Sequence, residues 1–352
     1  MSKNVSYKIS WMTFLANILI LLSHAYFDGK LEGGLIDHIM IFFSNMAVPM
    51  MEWFFFITAY FFFRKVDKLK KVGINLKSRV SSLLIPYIIW NTIGVFFQIL
   101  GGKIEVSMWR LFRNGYLFYN GVGCGDGPLW YIARLFTFFI FAPLIYYIFR
   151  KKKTLLFLVS EMALIILNVV FETVNYDFIF FLPVFLLGGY IGLNFSDFFE
   201  CWLNGERNYK GVVLSTVVLI SYTYIHIRQL VFFPGSERVY RLIALLLLLL
   251  IIKFIGKIKK PTKIVINSGM YLYCAHDIVY RILRNLWYPR TVLSNELFQI
   301  GFIIISFILL FGSWMFMNRF TPSLLSLLSG GRNNRKLDIK DNVDITGQGE
   351  SK

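Results

Sequence analysis

The feature that most constrains this chain is a series of apolar runs, each about as long as a membrane's hydrocarbon core is thick. A helix that crosses this core needs about 20 residues, because each residue adds ~1.5 Å. Ten such runs occur, at about residues 9–27, 43–63, 80–100, 129–149, 154–171, 178–194, 211–227, 240–258, 266–285 and 297–317. The sequence therefore predicts an all-α integral membrane protein with about ten transmembrane helices.

The composition excludes several other classes of protein. Of the 352 residues, 57% are hydrophobic, 18% are aromatic and only 16% are charged, against about 25% charged in soluble proteins. A soluble globule of this composition would expose too much contiguous apolar surface. Cys124, Cys201 and Cys274 have neither metal-site nor paired spacing. A soluble enzyme, a disordered protein, a disulfide scaffold and a metal site are therefore not expected, and Cys274 is expected to be a small core residue.

Basic residues predict the orientation in the membrane. The net charge is +17, and most lysines and arginines lie in short loops between the apolar runs. With the N-terminus in the cytoplasm, 26 basic residues fall on the inner side and 10 on the outer side. This imbalance favours cytoplasmic termini. We expect one membrane domain at residues 1–329, with its first span retained, and a disordered cytoplasmic tail at 330–352.

Four ionisable residues within the apolar runs are functional candidates, because charge is costly inside a membrane. His24, Glu52, Arg134 and His276 lie about 21, 16, 22 and 15 Å from the inner ends of their helices. This common layer predicts a polar cavity. The alternative is a set of unrelated interhelical hydrogen bonds. His38 is expected in an outer loop and His226 near a span end, so solvent or interfacial positions are expected for both.

The histidines suggest acid–base chemistry. Imidazole has an ordinary pKa of about 6.5, which suits a general base near neutral pH. A neighbouring carboxylate would orient the ring, and Glu52 and Asp277 are the candidates. Either histidine taken alone could equally be a structural hydrogen-bonding group. The glycines from Gly121 to Gly127 predict a flexible connection rather than a nucleotide-binding loop.

Several motifs, in order, resemble those of membrane acyltransferase family 3. The stretch from Arg79 to Asn91 is the closest match. The motifs are Ser23-His24-Ala25, then Val48-Pro49 with Phe54 to Tyr60, then Arg79 to Asn91, then Pro128-Leu129-Trp130-Tyr131 with Leu135, and Met270 to His276. The resemblance extends, with gaps, from about residue 10 to 320.

This resemblance implies an enzyme that moves an acyl group, commonly acetyl from acetyl-CoA, to a hydroxyl of a carbohydrate. His24 matches the histidine with the general-base or acyl-handling role, and His276 matches a later histidine. Arg79 matches a basic residue at the start of the third span, and Trp130 and Arg134 become candidates for substrate binding. Acyl-CoA would be a co-substrate rather than a permanently bound cofactor. The other partners would be a polysaccharide or lipid-linked glycan and the lipids of a bacterial cytoplasmic membrane.

The sequence departs from the family pattern at several positions. Thr13 stands where the family usually has an arginine, 11 residues before His24, and Ser82 replaces a second arginine. In the fourth span, Ala133 stands where the family usually has an arginine, although Arg134 follows it directly. Thr58-Ala59 replaces a Ser-Gly pair. If Thr13 cannot contact the CoA phosphates, another basic residue must do so, and Lys8, Lys77 and Arg79 are the candidates.

Two other functions stay open. A transporter or flippase for a glycan precursor would also use aromatic side chains and a polar layer, although no internal repeat supports it. An inactive relative would explain Thr13 and Ser82. The apolar runs lack a clear Gly-x-x-x-Gly face, which favours a monomer.

Overall fold

The computed structural model describes residues 1–26, 34–101, 112, 127–170, 177–230, 236–287 and 295–331. None of these residues lies in a strand. The helices are α1 (Lys3–Ala25), α2 (Leu35–Phe63), α3 (Leu69–Arg79), α4 (Ile85–Leu100), α5 (Trp130–Ile140), α6 (Ala142–Phe149), α7 (Thr154–Val170), α8 (Asp177–Asn194), α9 (Ser196–Leu203), α10 (Tyr209–Ile227), α11 (Ser236–Phe254), α12 (Lys263–Asn267), α13 (Gly269–Trp287), α14 (Asn295–Phe320) and α15 (Pro322–Leu328).

The helices confirm a multi-pass membrane protein. Among the described residues, five helical segments are long and apolar enough to cross a membrane, or up to seven if each of two bent pairs is one span. Each of the ten predicted runs falls on a helix or a bent pair of helices. Crossing by α7, α11 and α13 stays a prediction, because α7 is short and the other two carry several charges.

Two details of the predicted spans were wrong. Helix α2 begins at Leu35 rather than near residue 43, so His38 lies in its first turn and not in a loop. The acidic Asp37 in that turn favours an earlier helix start, because the helix dipole attracts negative charge there. The His38 side chain is exposed, and its Nδ1 lies 2.9 Å from the Gly34 carbonyl oxygen.

Pro183 and the pair Gly188-Gly189 predict an interruption of the sixth run, and this prediction was wrong. Helix α8 continues through both, and a bend of 102° follows at its end, before α9. Proline is tolerated inside membrane helices where neighbouring helices pack around the backbone. Gly188 instead allows close packing, because its Cα faces the Phe56 carbonyl at a distance that would not admit a Cβ atom.

Helix α2 lies at the centre of the helical bundle and packs against α1, α8 and α11. On the α8 side, a Cβ atom at Gly192 would lie 2.6 Å from the Tyr60 carbonyl oxygen. The rings of Phe55 and Phe181 stack there with centroids 4.7 Å apart. This packing gives one rigid side to the helix that carries Glu52.

A π-helical turn at Val80–Leu84 joins α3 to α4 and leaves Arg79 at the junction. The end of the described chain packs on this turn, with Gly330 at a φ of +65° against the Ser82 carbonyl. Cys274 is fully buried, as expected of a core residue. Cys124, the glycines at 121, 123 and 125, and residues 332–352 of the predicted tail lie outside the described residues.

Candidate active site

The structure brings two of the four candidate residues together. His24 lies in the last turn of α1, and His276 lies midway along α13. Their ring centroids are 5.1 Å apart, with an angle of 39° between the planes. His24 is exposed, whereas His276 is fully buried. The pair therefore joins a buried imidazole to an accessible one.

The hydrogen bonds of His276 define its tautomer. Its Nδ1 lies 2.6 Å from the Tyr273 carbonyl oxygen. Because a carbonyl only accepts, Nδ1 carries the proton and Nε2 presents a lone pair. This Nε2 is buried and makes no hydrogen bond within the described part of the chain. A buried acceptor without a donor is costly, so the atom is available for a proton or a substrate hydroxyl.

The end of α1 beside His24 is held by side chains of α13 and α14. The carbonyls of His24 and Ala25 belong to the last four of the helix, which lack intrahelical i+4 partners. Three side chains donate to carbonyls at this end: Tyr280 Oη to Leu21 at 3.0 Å, Arg284 Nη2 to His24 at 2.8 Å and Gln299 Nε2 to Ala25 at 2.9 Å. The sequence reasoning missed these positioning residues. The spacing of four residues between His276, Tyr280 and Arg284, which places them on one helical face, is the signal that could have found two of them.

Neither candidate carboxylate has a described hydrogen bond or ion pair with a histidine. Glu52 is fully buried, with Oε1 3.7 Å from Arg238 Nη1 and 3.6 Å from Arg241 Nη1. Asp277 pairs with Arg281 at 2.5 Å and accepts a hydrogen bond from the Gly127 backbone at 3.3 Å. These contacts tie α2 to α11 and the segment before α5 to α13.

A cavity of about 500 Å³ lies between α1, α2, α5 and the segment Val265 to Tyr273. Ser6 and Ser10 line the end near the start of α1, and Tyr131 and Tyr273 line it further along. The ring of Tyr273 lies 5.9 Å from that of His276. A series of ring contacts thus leads from the cavity through His276 to His24.

The structure distinguishes between the three candidate phosphate contacts. Arg79 lines the cavity, with its guanidinium 5.7 Å from the centre of the Phe139 ring. Lys8 is only 2% exposed, and its ammonium donates to the carbonyls of Leu203 at 2.8 Å and Lys253 at 3.2 Å. Lys77 is exposed and does not line the cavity. Arg79 is therefore the candidate with the required position.

The two remaining candidates, Trp130 and Arg134, lie on α5 and are not among the residues that line the cavity. Trp130 is the first residue of α5, and its ring centroid lies 5.3 Å from that of Phe181. Arg134 lies one turn further along α5 and is half-buried. Thr13, at the position of the missing arginine, lines the cavity and accepts a hydrogen bond from Trp53 Nε1 at 3.3 Å. At this position the cavity wall therefore carries a neutral side chain instead of an arginine.

Comparison with known protein families gives a match over most of the chain. The family model described as an acyltransferase domain matches residues 6–318, which include both histidines and all the helices around the cavity. No curated protein and no solved structure matches the chain.

Proposed function

This chain belongs to membrane acyltransferase family 3, and we propose that it transfers an acyl group from acyl-CoA to a hydroxyl of a cell-surface or lipid-linked polysaccharide. Acetyl is the proposed acyl group. The observation that carries the proposal is a cavity whose wall is joined by ring contacts to a histidine pair, of which one member is exposed. Such an arrangement suits a donor and an acceptor that reach the reacting group from different sides.

The proposed topology has ten spans in a bacterial cytoplasmic membrane, with both termini in the cytoplasm. Basic residues favour it through their excess on the inner side. Arg79 and the Ser10 end of the cavity then face the cytoplasm, and His24 lies towards the outer side. Acyl-CoA would enter from the cytoplasm, while the glycan would approach His24.

In the proposed donor site, Arg79 contacts the CoA phosphates. A guanidinium suits this task because it donates charge-assisted hydrogen bonds to phosphate oxygens. The cavity then accommodates the apolar and amide parts of the pantetheine arm, with the thioester near Tyr273 and the histidines. Lys8 takes no part, because its ammonium is buried against two main-chain carbonyls.

In the proposed reaction, His24 removes the proton from the sugar hydroxyl as its oxygen attacks the thioester carbonyl. A carbon–oxygen bond forms, the carbon–sulfur bond breaks, and the proton passes from His24 to the CoA thiolate. His276 lies next to His24 with a lone pair on Nε2 and accepts a hydrogen bond from the reacting groups. Arg134 stabilises the developing oxyanion or holds the acceptor, and Trp130 contributes to substrate binding.

The test uses the full chain in proteoliposomes with acetyl-CoA and glycan extracted from the host. We expect CoA release that depends on the glycan, and a mass increase of one acetyl group on the product. His24→Ala should reduce turnover by about 10²- to 10⁴-fold, the usual contribution of a general base. His38→Ala is the matched control, because that imidazole is exposed and contacts Gly34.

Equal turnover in the wild type and His24→Ala would remove His24 from the mechanism. If the glycan crosses the bilayer with its mass unchanged and no CoA is released, the protein is a transporter and the acyltransferase proposal is wrong.

A further inference from the structure

Asn17 is a buried polar residue in the wall of the cavity, and the proposed reaction gives it no role. It lies in α1, seven residues before His24, and is only 2% exposed. Its Nδ2 donates to the Gly269 carbonyl oxygen at 3.0 Å. Because that carbonyl cannot donate, the nitrogen of the Asn17 amide must face it. The amide oxygen, Oδ1, then faces the other way.

Oδ1 of Asn17 is buried without a hydrogen bond among the described residues. Four other polar side chains that line the cavity already have a partner. These are Ser10 with the Ser6 carbonyl at 2.9 Å, Thr13 with Trp53 at 3.3 Å, Thr58 with Tyr131 at 3.3 Å, and Tyr273 with the Pro128 carbonyl. An unsatisfied buried acceptor carries a free-energy cost that a ligand's donor would remove. The cavity therefore offers a hydrogen-bond acceptor to a ligand with an N–H or O–H group.

The position of Asn17 relative to His24 indicates which N–H group of an acyl-CoA could donate a hydrogen bond to Oδ1. Residues seven apart lie on nearly the same face of a helix, and here they are about 10.5 Å apart along its axis. In an acyl-CoA, eight bonds separate the thioester carbonyl carbon from the nitrogen of the farther pantetheine amide. At about 1.2 Å of projected length per bond, this extended arm spans about 10 Å. The nearer amide, at half this distance, would fall between Asn17 and His24.

We propose that Asn17 Oδ1 accepts a hydrogen bond from the N–H of the farther amide of the pantetheine arm and so sets the position of the thioester beside the histidine pair. This inference rests on the proposed function, since it requires acyl-CoA in the cavity. Asn17 is then a donor-binding residue whose own amide is fixed by Gly269. A donor that lacks this N–H would leave Oδ1 buried without a partner.

The experiment compares acetyl-CoA with an analogue in which an ester oxygen replaces that single amide N–H. Both donors are assayed with the full-length wild type, Asn17→Ala and Asn45→Ala in proteoliposomes, by CoA release in the presence of glycan. We expect the wild type to prefer the amide donor by about three- to tenfold in kcat/KM, as one neutral hydrogen bond allows. In Asn17→Ala the preference should fall to about one, because the acceptor is gone.

Asn45→Ala is the matched control. It removes the same amide from α2, where Nδ2 donates to the Ile41 carbonyl at 2.9 Å, and Asn45 does not line the cavity. It should keep the wild-type preference. If Asn17→Ala does not fold, the wild type alone decides, because equal turnover of both donors overturns the proposal.

Two further outcomes would also contradict the Asn17 proposal. An unchanged preference in folded Asn17→Ala would assign the N–H to another acceptor. If the wild type releases no CoA from acetyl-CoA, the proposed function fails and the Asn17 proposal fails with it. Turnover of both donors without preference overturns the Asn17 proposal alone.

Discussion

The two sides of α2 differ in how completely they are packed. Towards α8, Gly188 lets two backbones approach, and the stacked rings of Phe55 and Phe181 fill the neighbouring space. Towards α1, a cavity of about 500 Å³ remains, and Asn17 presents a buried acceptor that has no donor among the described residues. Close packing of small residues holds membrane helices together, whereas a polar group left open inside them points to a ligand. The packed α8 side therefore suits a stabilising role, whereas the proposed donor site lies on the α1 side.

The first prediction tests the packed side and has the largest expected effect. In Gly188→Ala, the new Cβ atom would collide with the Phe56 carbonyl, which is backbone and cannot rotate away. Overpacking costs about 1 to 3 kcal/mol and occasionally more, and the contact with immobile backbone puts this variant at the upper end of that range. We expect a strong fall in the thermal unfolding temperature in detergent, with little folded protein recovered. The measurement is unfolding followed by circular dichroism, together with the yield of monodisperse protein.

Gly312→Ala is the control for this prediction. Gly312 lies within α14, and a Cβ atom there would meet no atom of the described part of the chain within 4 Å. Alanine favours a helix over glycine by up to about 1 kcal/mol, so stability should stay equal or rise. If both variants unfold alike, the contrast between the two sides of α2 does not come from the glycine contact.

The second prediction concerns the charged group within α2. Glu52 pairs with Arg238 and Arg241, and the Arg238 guanidinium lies 3.1 Å from the centre of the Phe180 ring. Glu52→Gln keeps the shape but removes the buried carboxylate that faces both arginines, while Arg241 keeps its ion pair with Glu237 at 2.5 Å. Loss of one member of a buried ion pair costs about 3 kcal/mol or more. We expect a lower unfolding temperature, with turnover per folded molecule close to that of the wild type.

The Glu52 variant also separates the two interpretations of that residue. A catalytic carboxylate would lower turnover per folded molecule as strongly as His24→Ala. If Glu52→Gln folds with wild-type stability and loses turnover, Glu52 acts on the histidines, and its pairing with the arginines is incidental.

The sequence predicted the fold better than it predicted the site. Apolar runs specify helices almost independently of one another, so all ten runs fall on helices. Depth along a helix placed His24, Glu52 and His276 in one layer, but rotation about each helix decides which side chains meet. That rotation depends on packing, such as the contact of Gly188 with Phe56, which a single sequence does not display. The histidines therefore meet, while Glu52 pairs with arginines of α11.

The third prediction has the smallest effect and tests the cavity on the α1 side. Arg79→Ala should raise KM for acetyl-CoA by about tenfold, because it removes a charge-assisted contact to phosphate worth about 1.5 kcal/mol. The increase should shrink at high salt, which screens that attraction. Lys8→Met is the matched control, because it also removes one cation. The Lys8 ammonium, however, is buried against the carbonyls of Leu203 and Lys253.

Initial rates at several acetyl-CoA concentrations distinguish the two variants. For Lys8→Met we expect a KM within about twofold of the wild type and a lower unfolding temperature, because two carbonyls lose their donor at about 1 kcal/mol each. The reverse result, a raised KM in Lys8→Met and none in Arg79→Ala, would move the phosphate site from the α4 side of the cavity to the α9 side. The cavity lined by Thr13 and Arg79 would then no longer be the donor site, and the functional assignment of the α1 side would fail.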